Sequence, residues 1–252
     1  MAKIALITGA TSGIGEACAH TFAREGYNLV LTGRRLNRLE KLAASLNKKH
    51  DIEVAIAAFD VQNREETITN LEDLPAKWKK VDVLINNAGL SQGLDPIQKG
   101  DYTDWETMID TNIKGLLYVS KVVSNWMITN GKGHIVNIGS IAGKEVYLNG
   151  NVYCATKFAV DALNKGMRVD LLAHGIKVTA VNPGAVNTEF SEVRFHGDKE
   201  RAQKTYDGFK PLAAQDVAET IWFAASRPAH VNINELTVMP TAQASVYNIF
   251  KQ

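Results

Sequence analysis

Seven short runs of apolar and β-branched residues punctuate the chain: KIALIT (3–8), YNLVLTG (27–33), EVAIAAFD (53–60), VDVLIN (81–86), GHIVNIG (133–139), IKVTAVN (176–182) and ELTVM (235–239). Each predicts a strand. Several are almost continuously apolar, the pattern of parallel strands covered by helices on both faces. Between them, apolar positions recur at helical spacing over about 13–25, 35–48, 103–130, 150–174 and 214–226,. Strand–helix alternation along the whole chain predicts an α/β fold, a doubly wound parallel sheet with right-handed crossovers. No linker, repeat or low-complexity tract interrupts it, so residues 1–252 read as one domain. One long stretch, about 184–212, is polar, glycine-punctuated and without period, and is expected to be an irregular lid over a site,.

Composition narrows the function classes. A chain of 252 residues with 45% hydrophobic and 22% charged residues has enough apolar material for a large core,. A formal charge of +1 gives no reason to expect nucleic acid or an anionic membrane surface as partner,. No apolar run approaches the ~20 residues of a membrane span, and MAKIALITGAT carries no export signal, so a cytoplasmic protein is expected,. Cys18 and Cys154 are the only cysteines and the six histidines are scattered, so neither a disulfide framework nor a metal site is expected,.

In doubly wound sheets ligands bind beyond the carboxyl ends of the strands. After the first strand, Gly9, Gly13 and Gly15 open a helix; such glycines either let the backbone approach a pyrophosphate or make an ordinary turn,. After the second, Arg34 and Arg35 stand where an NAD site has an acid. Arginine there binds a 2′-phosphate, with solvated helix-end cations as the alternative,. Asp60 and Val61 follow the third strand; Asn87, Ala88 and Gly89 follow the fourth. Tyr153 and Lys157 are one helical turn apart and share a face, as either a proton-transfer pair or two solvated side chains,.

The runs TGATSGIG (8–15), INNAG (85–89), IDTNIKG (109–115), IVNIGS (135–140), YCATK (153–157) and VNPG (181–184), in this order, resemble the short-chain dehydrogenase/reductase family. The resemblance spans residues 3 to about 190 and implies a single-domain Rossmann-type sheet. The different glycine spacing and extra domain of the sugar-nucleotide branch are not found. The resemblance implies Tyr153 as general acid/base, with Lys157 lowering the phenol's pKa and holding the nicotinamide ribose. Ser140 would orient the substrate oxygen, and Asn112, at a helix irregularity, would hold a water leading from Lys157 to solvent. It implies NADP as cofactor, held by Gly9, Thr11, Ser12, Gly13, Ile14, Gly15, Arg34 (with Arg35 assisting), Asp60, Val61, Asn87, Ala88, Gly89, Tyr153, Lys157, Pro183, Gly184, Val186 and Thr188. The helices at 103–130 and 150–174 resemble the family's dimer-forming pair, and the apolar tail ELTVMPTAQASVYNIF suggests a second contact, so a homotetramer is expected.

NTEFSEVRFHGD (187–198) and PAHVNINELTVMPTAQA (228–244) resemble the branch that oxidises short 3-hydroxy acids such as serine and allo-threonine. Alternatives are a sulfoacetaldehyde or other small-carbonyl reductase, an acyl-carrier-protein reductase, and a catalytically silent NADP-binding regulator. A small anionic substrate needs a fixed counter-charge. Arg194, flanked by Val193 and Phe195 in the lid, is the expected partner; Lys144 is the runner-up,.

Overall fold

Successive residues of the first strand enter different cores. Ala5 and Ile7 pack with Cys18, Phe22, Leu39 and Ile221 on one side of the sheet; Ile4 and Leu6 pack with Leu71, Val119, Val123 and Met127 on the other. This is what an unbroken apolar run does when both faces of its sheet are covered. The computed structural model describes residues 2–252.

The chain runs β1 (Ile4–Ile7), α1 (Gly13–Arg24), β2 (Asn28–Gly33), α2 (Leu36–Lys49), β3 (Val54–Ala58), α3 (Arg64–Glu72), β4 (Val83–Asn86), α4 (Tyr102–Ile109) and α5 (Leu116–Asn130). It continues through β5 (His134–Ile138), α6 (Asn151–Asp170), β6 (Lys177–Pro183), β7 (Val186–Asn187), α7 (Phe190–Arg194), α8 (Lys199–Lys204), β8 (Leu212–Ala213), α9 (Ala214–Ala225) and β9 (Glu235–Val238). All seven expected strands form one parallel sheet in the order β3-β2-β1-β4-β5-β6-β9. The winding reverses between β1 and β4, which opens a crevice between their carboxyl ends, and the strand-end motifs converge there.

The first core contains α1, α2 and α9. Phe22, Tyr27 and Trp222 meet edge to face, with ring centroids 5.2, 5.3 and 5.7 Å apart,. The second core contains α3 and α5. The α3 helix is absent from the sequence expectation because REETITNLE buries only Thr67 and Leu71. Its start was nonetheless written locally: Asn63 Oδ1 accepts from the backbone N–H groups of Glu65 (3.1 Å) and Glu66 (3.2 Å), and both acids sit in the first turn,.

Two other expectations change. The segment 184–212 is not irregular: it holds α7 and α8, and β7 pairs with β8 in parallel. The expected helix at 103–130 is interrupted by a π-helical turn at Asp110–Gly115, which contains Asn112,.

Candidate active site

The crevice is a cavity of about 300 Å³ running from α2 to the start of the lid. Its floor is the turn after β1. Gly9 and Gly13 have φ of +64° and +56°, a region costly for any side chain,. Gly15 does not line the cavity; its role is packing, since a Cβ there would lie 2.3 Å from the Gly9 carbonyl oxygen. Asn87 braces this turn, donating from Nδ2 to the carbonyls of Thr8 (2.9 Å) and Gly9 (3.2 Å). The Thr8 hydroxyl in turn accepts from the N–H groups of Asn87 and Ala88. Ser12, the residue before α1, places no side-chain cap on the helix; its hydroxyl accepts from Arg35 Nη2 at 2.8 Å. The N–H groups of the first α1 turn therefore face the cavity uncapped, the donor set that a pyrophosphate accepts from.

The two arginines after β2 both line the cavity but are held differently. Arg34 is exposed and makes only a 3.5 Å contact with Asp60. Arg35 turns onto the glycine loop, with Nε and Nη2 donating to Thr11 Oγ1 at 3.0 and 2.8 Å. Its Nη1 donates at 2.9 Å to Glu189 of the lid, whose other oxygen accepts from Arg38 at 2.7 Å. Neither Glu189 nor Arg38 was legible as a site residue, because their contact joins positions 151 apart in the chain.

Opposite this corner lie Ser140 at the end of β5, and Tyr153 and Lys157 on α6, all lining the cavity. Tyr153 and Lys157 are almost fully buried. Lys157 Nζ donates to the Ile138 carbonyl at 2.9 Å and lies 6.0 Å from the Tyr153 ring centroid. Burial without a carboxylate pulls its pKa down to about 8,. Burial also pushes the Tyr153 phenol above the ordinary tyrosine value. The Arg194 cation and the Ser140 hydroxyl pull the other way without reversing it. The cation opposing burial at the phenol is thus Arg194, where the sequence pointed to Lys157. Asn112 lies behind the pair, one layer from the cavity: Nδ2 donates to Leu90 O (2.8 Å) and Thr156 Oγ1 (3.0 Å), and Oδ1 accepts from Leu90 N (2.9 Å). Both amide hydrogens are engaged, so the expected water cannot be held by the side-chain NH₂.

Arg194 reaches the site from α7. Its Nε donates to Ser91 Oγ (3.0 Å) and its Nη2 to Tyr147 OH (2.8 Å). The guanidinium carbon lies 5.1 Å from the Tyr153 ring centroid and 5.2 Å from that of Phe190,. Among the described residues Arg194 has no carboxylate within ion-pair distance and Nη1 has no hydrogen-bond partner. Its carbonyl accepts from Gly93 N at 3.0 Å, which docks the lid on the loop after β4. Val193 and Phe190 line the cavity, whereas Arg194 adjoins it through the Tyr153 and Phe190 rings without lining it; Phe195 stacks on Arg201, 4.3 Å from ring centroid to guanidinium. Lys144 is the correction. Its Nζ is held between Asp161 (2.7 Å) and Glu235 (2.8 Å), outside the cavity and already neutralised. Tyr147, which sequence reasoning passed over, is the aromatic partner that fixes Arg194.

The cavity thus gathers the rest of the expected set: Gly9, Thr11, Ser12, Gly13, Ile14, Arg34, Arg35, Asp60, Val61, Asn87, Ala88, Gly89, Pro183, Gly184, Val186 and Thr188. A family model described as short chain dehydrogenase matches residues 3–199. This chain belongs to the short-chain dehydrogenase family. It is 46% identical to the NADP-dependent 3-hydroxy acid dehydrogenase YdfG of Salmonella typhi over 242 residues, 96% of each chain. It is equally 46% identical to sulfoacetaldehyde reductase 2 of Chromohalobacter salexigens over 245 residues, covering 97% of this chain and 96% of that one. Among solved structures it matches the closed form of a serine dehydrogenase complexed with NADP+, with a TM-score of 0.92 and 45% identity over 99% of this chain and 100% of that one.

Proposed function

We propose that the chain is an NADP-dependent oxidoreductase interconverting short 3-hydroxy acids, of the serine, allo-threonine and 3-hydroxypropionate type, with the corresponding carbonyl acids. The observation that carries the substrate class is Arg194, a cation with no carboxylate partner among the described residues, 5.1 Å from the Tyr153 ring. A half-buried guanidinium with Nη1 free matches a carboxylate,. A relative named for 3-hydroxy acids and a neighbour named for serine support the same reading.

The cofactor fits the cavity: uncapped helix N–H groups for the pyrophosphate, a glycine turn without side chains, and arginines rather than an acid directly after β2. When bound, the nicotinamide supplies or accepts the hydride. The chain's own residues handle the proton and the orientation. Arg194 holds the substrate's anionic end, and Ser140 hydrogen-bonds its reacting oxygen. Tyr153 gives a proton to that oxygen during reduction and takes it back during oxidation. Lys157, with its pKa near 8, can release and regain a proton close to neutral pH and so recharge the phenol. Thr156 and Asn112 fix the helix behind it.

A second reading, reduction of a small sulfonated aldehyde, has the support of the sulfoacetaldehyde reductase relative, and a guanidinium can also donate to two sulfonate oxygens,. A silent NADP-binding regulator fits less well, because Ser140, Tyr153 and Lys157 line one cavity together. The deciding experiment is a kcat/KM panel with NADP over serine, allo-threonine, 3-hydroxypropionate, 3-hydroxyisobutyrate and isethionate. Preference for a carboxylate supports the reading; preference for isethionate replaces it with the second, and no turnover with any of the five removes both.

A further inference from the structure

The ribose corner of the cavity already contains an anion. Glu189, the residue immediately before α7, splits its carboxylate between Arg35 Nη1 (2.9 Å) and Arg38 Nη1 (2.7 Å). The remaining bonds of Arg35 go to Thr11 Oγ1 and Ser12 Oγ, so the guanidinium is pinned with one edge on the glycine loop and the other on the lid. Glu189 and Arg35 both line the cavity, and α2 begins one residue after Arg35. Burial pushes the Glu189 carboxyl up, but the two arginine bonds outweigh it and hold the group below the usual glutamate range, so it is charged at neutral pH.

We propose that Glu189 is a specificity-determining residue that competes with the cofactor's 2′-phosphate for Arg35 and Arg38. This inference rests on the NADP reading of that corner. A 2′-phosphate brings close to two negative charges and wants the bidentate donors that Glu189 now engages. It must displace the carboxylate or sit beside it against like-charge repulsion. A cofactor with a free 2′-hydroxyl meets no such opposition, since the carboxylate can accept a hydrogen bond from the hydroxyl, the role an acid plays in NAD sites. Glu189 therefore lowers affinity for the phosphorylated cofactor and narrows its lead over the unphosphorylated one. Weaker holding favours release, a step that limits turnover in many enzymes of this kind. Glu189 directly precedes the five-residue helix that ends at Arg194, so releasing its carboxylate from Arg35 and Arg38 would free the lid at the end opposite Arg194.

Two adenosine fragments separate this from a purely structural role. Calorimetric titration of wild type and Glu189→Gln with 2′,5′-ADP and with 5′-AMP reads the corner without any turnover. The variant is expected to bind 2′,5′-ADP at least fivefold tighter, with 5′-AMP within twofold of wild type. Trypsin cleavage at Lys199, Arg201 and Lys204 is a second readout. In wild type, 2′,5′-ADP should accelerate it and 5′-AMP should not, whereas the variant should be cut faster without either. Unchanged or weaker 2′,5′-ADP binding by Glu189→Gln, or protection of the lid by 2′,5′-ADP, overturns the competition. If wild type itself fails to prefer 2′,5′-ADP over 5′-AMP, the NADP reading falls and the competition falls with it. A wild-type preference with no gain in the variant removes the competition alone.

Discussion

Replacing Arg194 with alanine tests the substrate reading most directly. The side chain has two separable roles in the proposal: its Nη1, free of any hydrogen bond, would meet the substrate anion, and its guanidinium lies 5.1 Å from the Tyr153 ring. Losing one partner of a buried charged pair costs roughly 2–4 kcal/mol, a drop of about 30- to 1,000-fold in kcat/KM for a 3-hydroxy acid. The second effect is separate. Two unit charges ~5 Å apart at an effective permittivity of 20 interact by ~3 kcal/mol, so removing the cation raises the phenol's pKa further above its already elevated position,. In the oxidative direction the base form of Tyr153 is needed, so the acidic limb of the pH–rate profile should move to higher pH for every substrate. The two effects part on a neutral alcohol of similar size: its loss should be largely recovered by raising the pH, while the acid's loss should persist. Steady-state kinetics of wild type and Arg194→Ala, with both substrates from pH 6 to 10, provides the measurement. Equal losses on acid and neutral alcohol at every pH would refute the anion-binding role, leaving Arg194 as a lid support held by Ser91 and Tyr147.

Tyr153→Phe removes the proton donor and should lower kcat at least 10²-fold while NADPH binding, followed by fluorescence, is retained; activity within tenfold of wild type would contradict the role. Lys157→Met should abolish turnover yet stabilise the fold at pH 7. The folded pKa of about 8 lies below the ordinary 10.5, so the unfolded chain holds this proton more tightly. That penalty, ~3 kcal/mol, is fully present below pH 8 and fades as pH rises towards 10.5. Methionine removes it and loses one hydrogen bond to Ile138, ~1 kcal/mol,. Denaturant melts should show the variant ahead by ~2 kcal/mol at pH 7, with the gap gone near pH 10; a variant less stable at both pH values would count against it. A homotetramer is the expected assembly: Leu117 on α5, Phe158 on α6 and the tail residues Tyr247 and Phe250 are large apolar side chains left exposed,. Sedimentation at micromolar concentration showing only a 28 kDa species would refute it.

What could be read from the sequence follows from how local its cause is. The strands were legible because an apolar run covered on both faces needs no partner to be recognised, and IALI and VLIN pair in register across the switch point as written. The α3 helix was not, because it buries two side chains in nine and its apolar period is almost absent. The short lid helices depend on distant contacts. Ser191 bonds Tyr206, and Tyr206 bonds the Val186 carbonyl; neither leaves a periodic trace. The same holds in the site. Motif residues such as Gly9 and Tyr153 carry their neighbours with them, whereas what holds Arg35 depends on where Thr11 and Glu189 arrive in space. Lys144 misled because a cation near Ser140 in sequence can still turn away: Asp161 and Glu235, one on α6 and one on β9, had already claimed it.

The charges around the cavity explain why this site should depend on its ligands for part of its stability. Lys157 is buried and donates to the Ile138 carbonyl, and the half-buried Arg194 has no carboxylate within ion-pair distance among the described residues. Burying a cation without an anion is unfavourable, and fold packing alone gives no reason to retain it. Both cations flank one phenol whose burial opposes the charged form it needs in oxidation. A substrate anion at Arg194 relieves one cost, and a bound nucleotide's phosphates meet donors now held by Glu189 or left uncapped at α1. Each ligand thus stabilises the folded chain by the cost it removes, in addition to the mass-action term of any binder. The dependence is not uniform. Arg35 and Arg38 already have a carboxylate, so the phosphate gains less at that corner than the substrate gains at Arg194. Electrostatic strain is therefore concentrated near Tyr153, and on the proposed function a substrate carrying negative charge close to its reacting oxygen would relieve it.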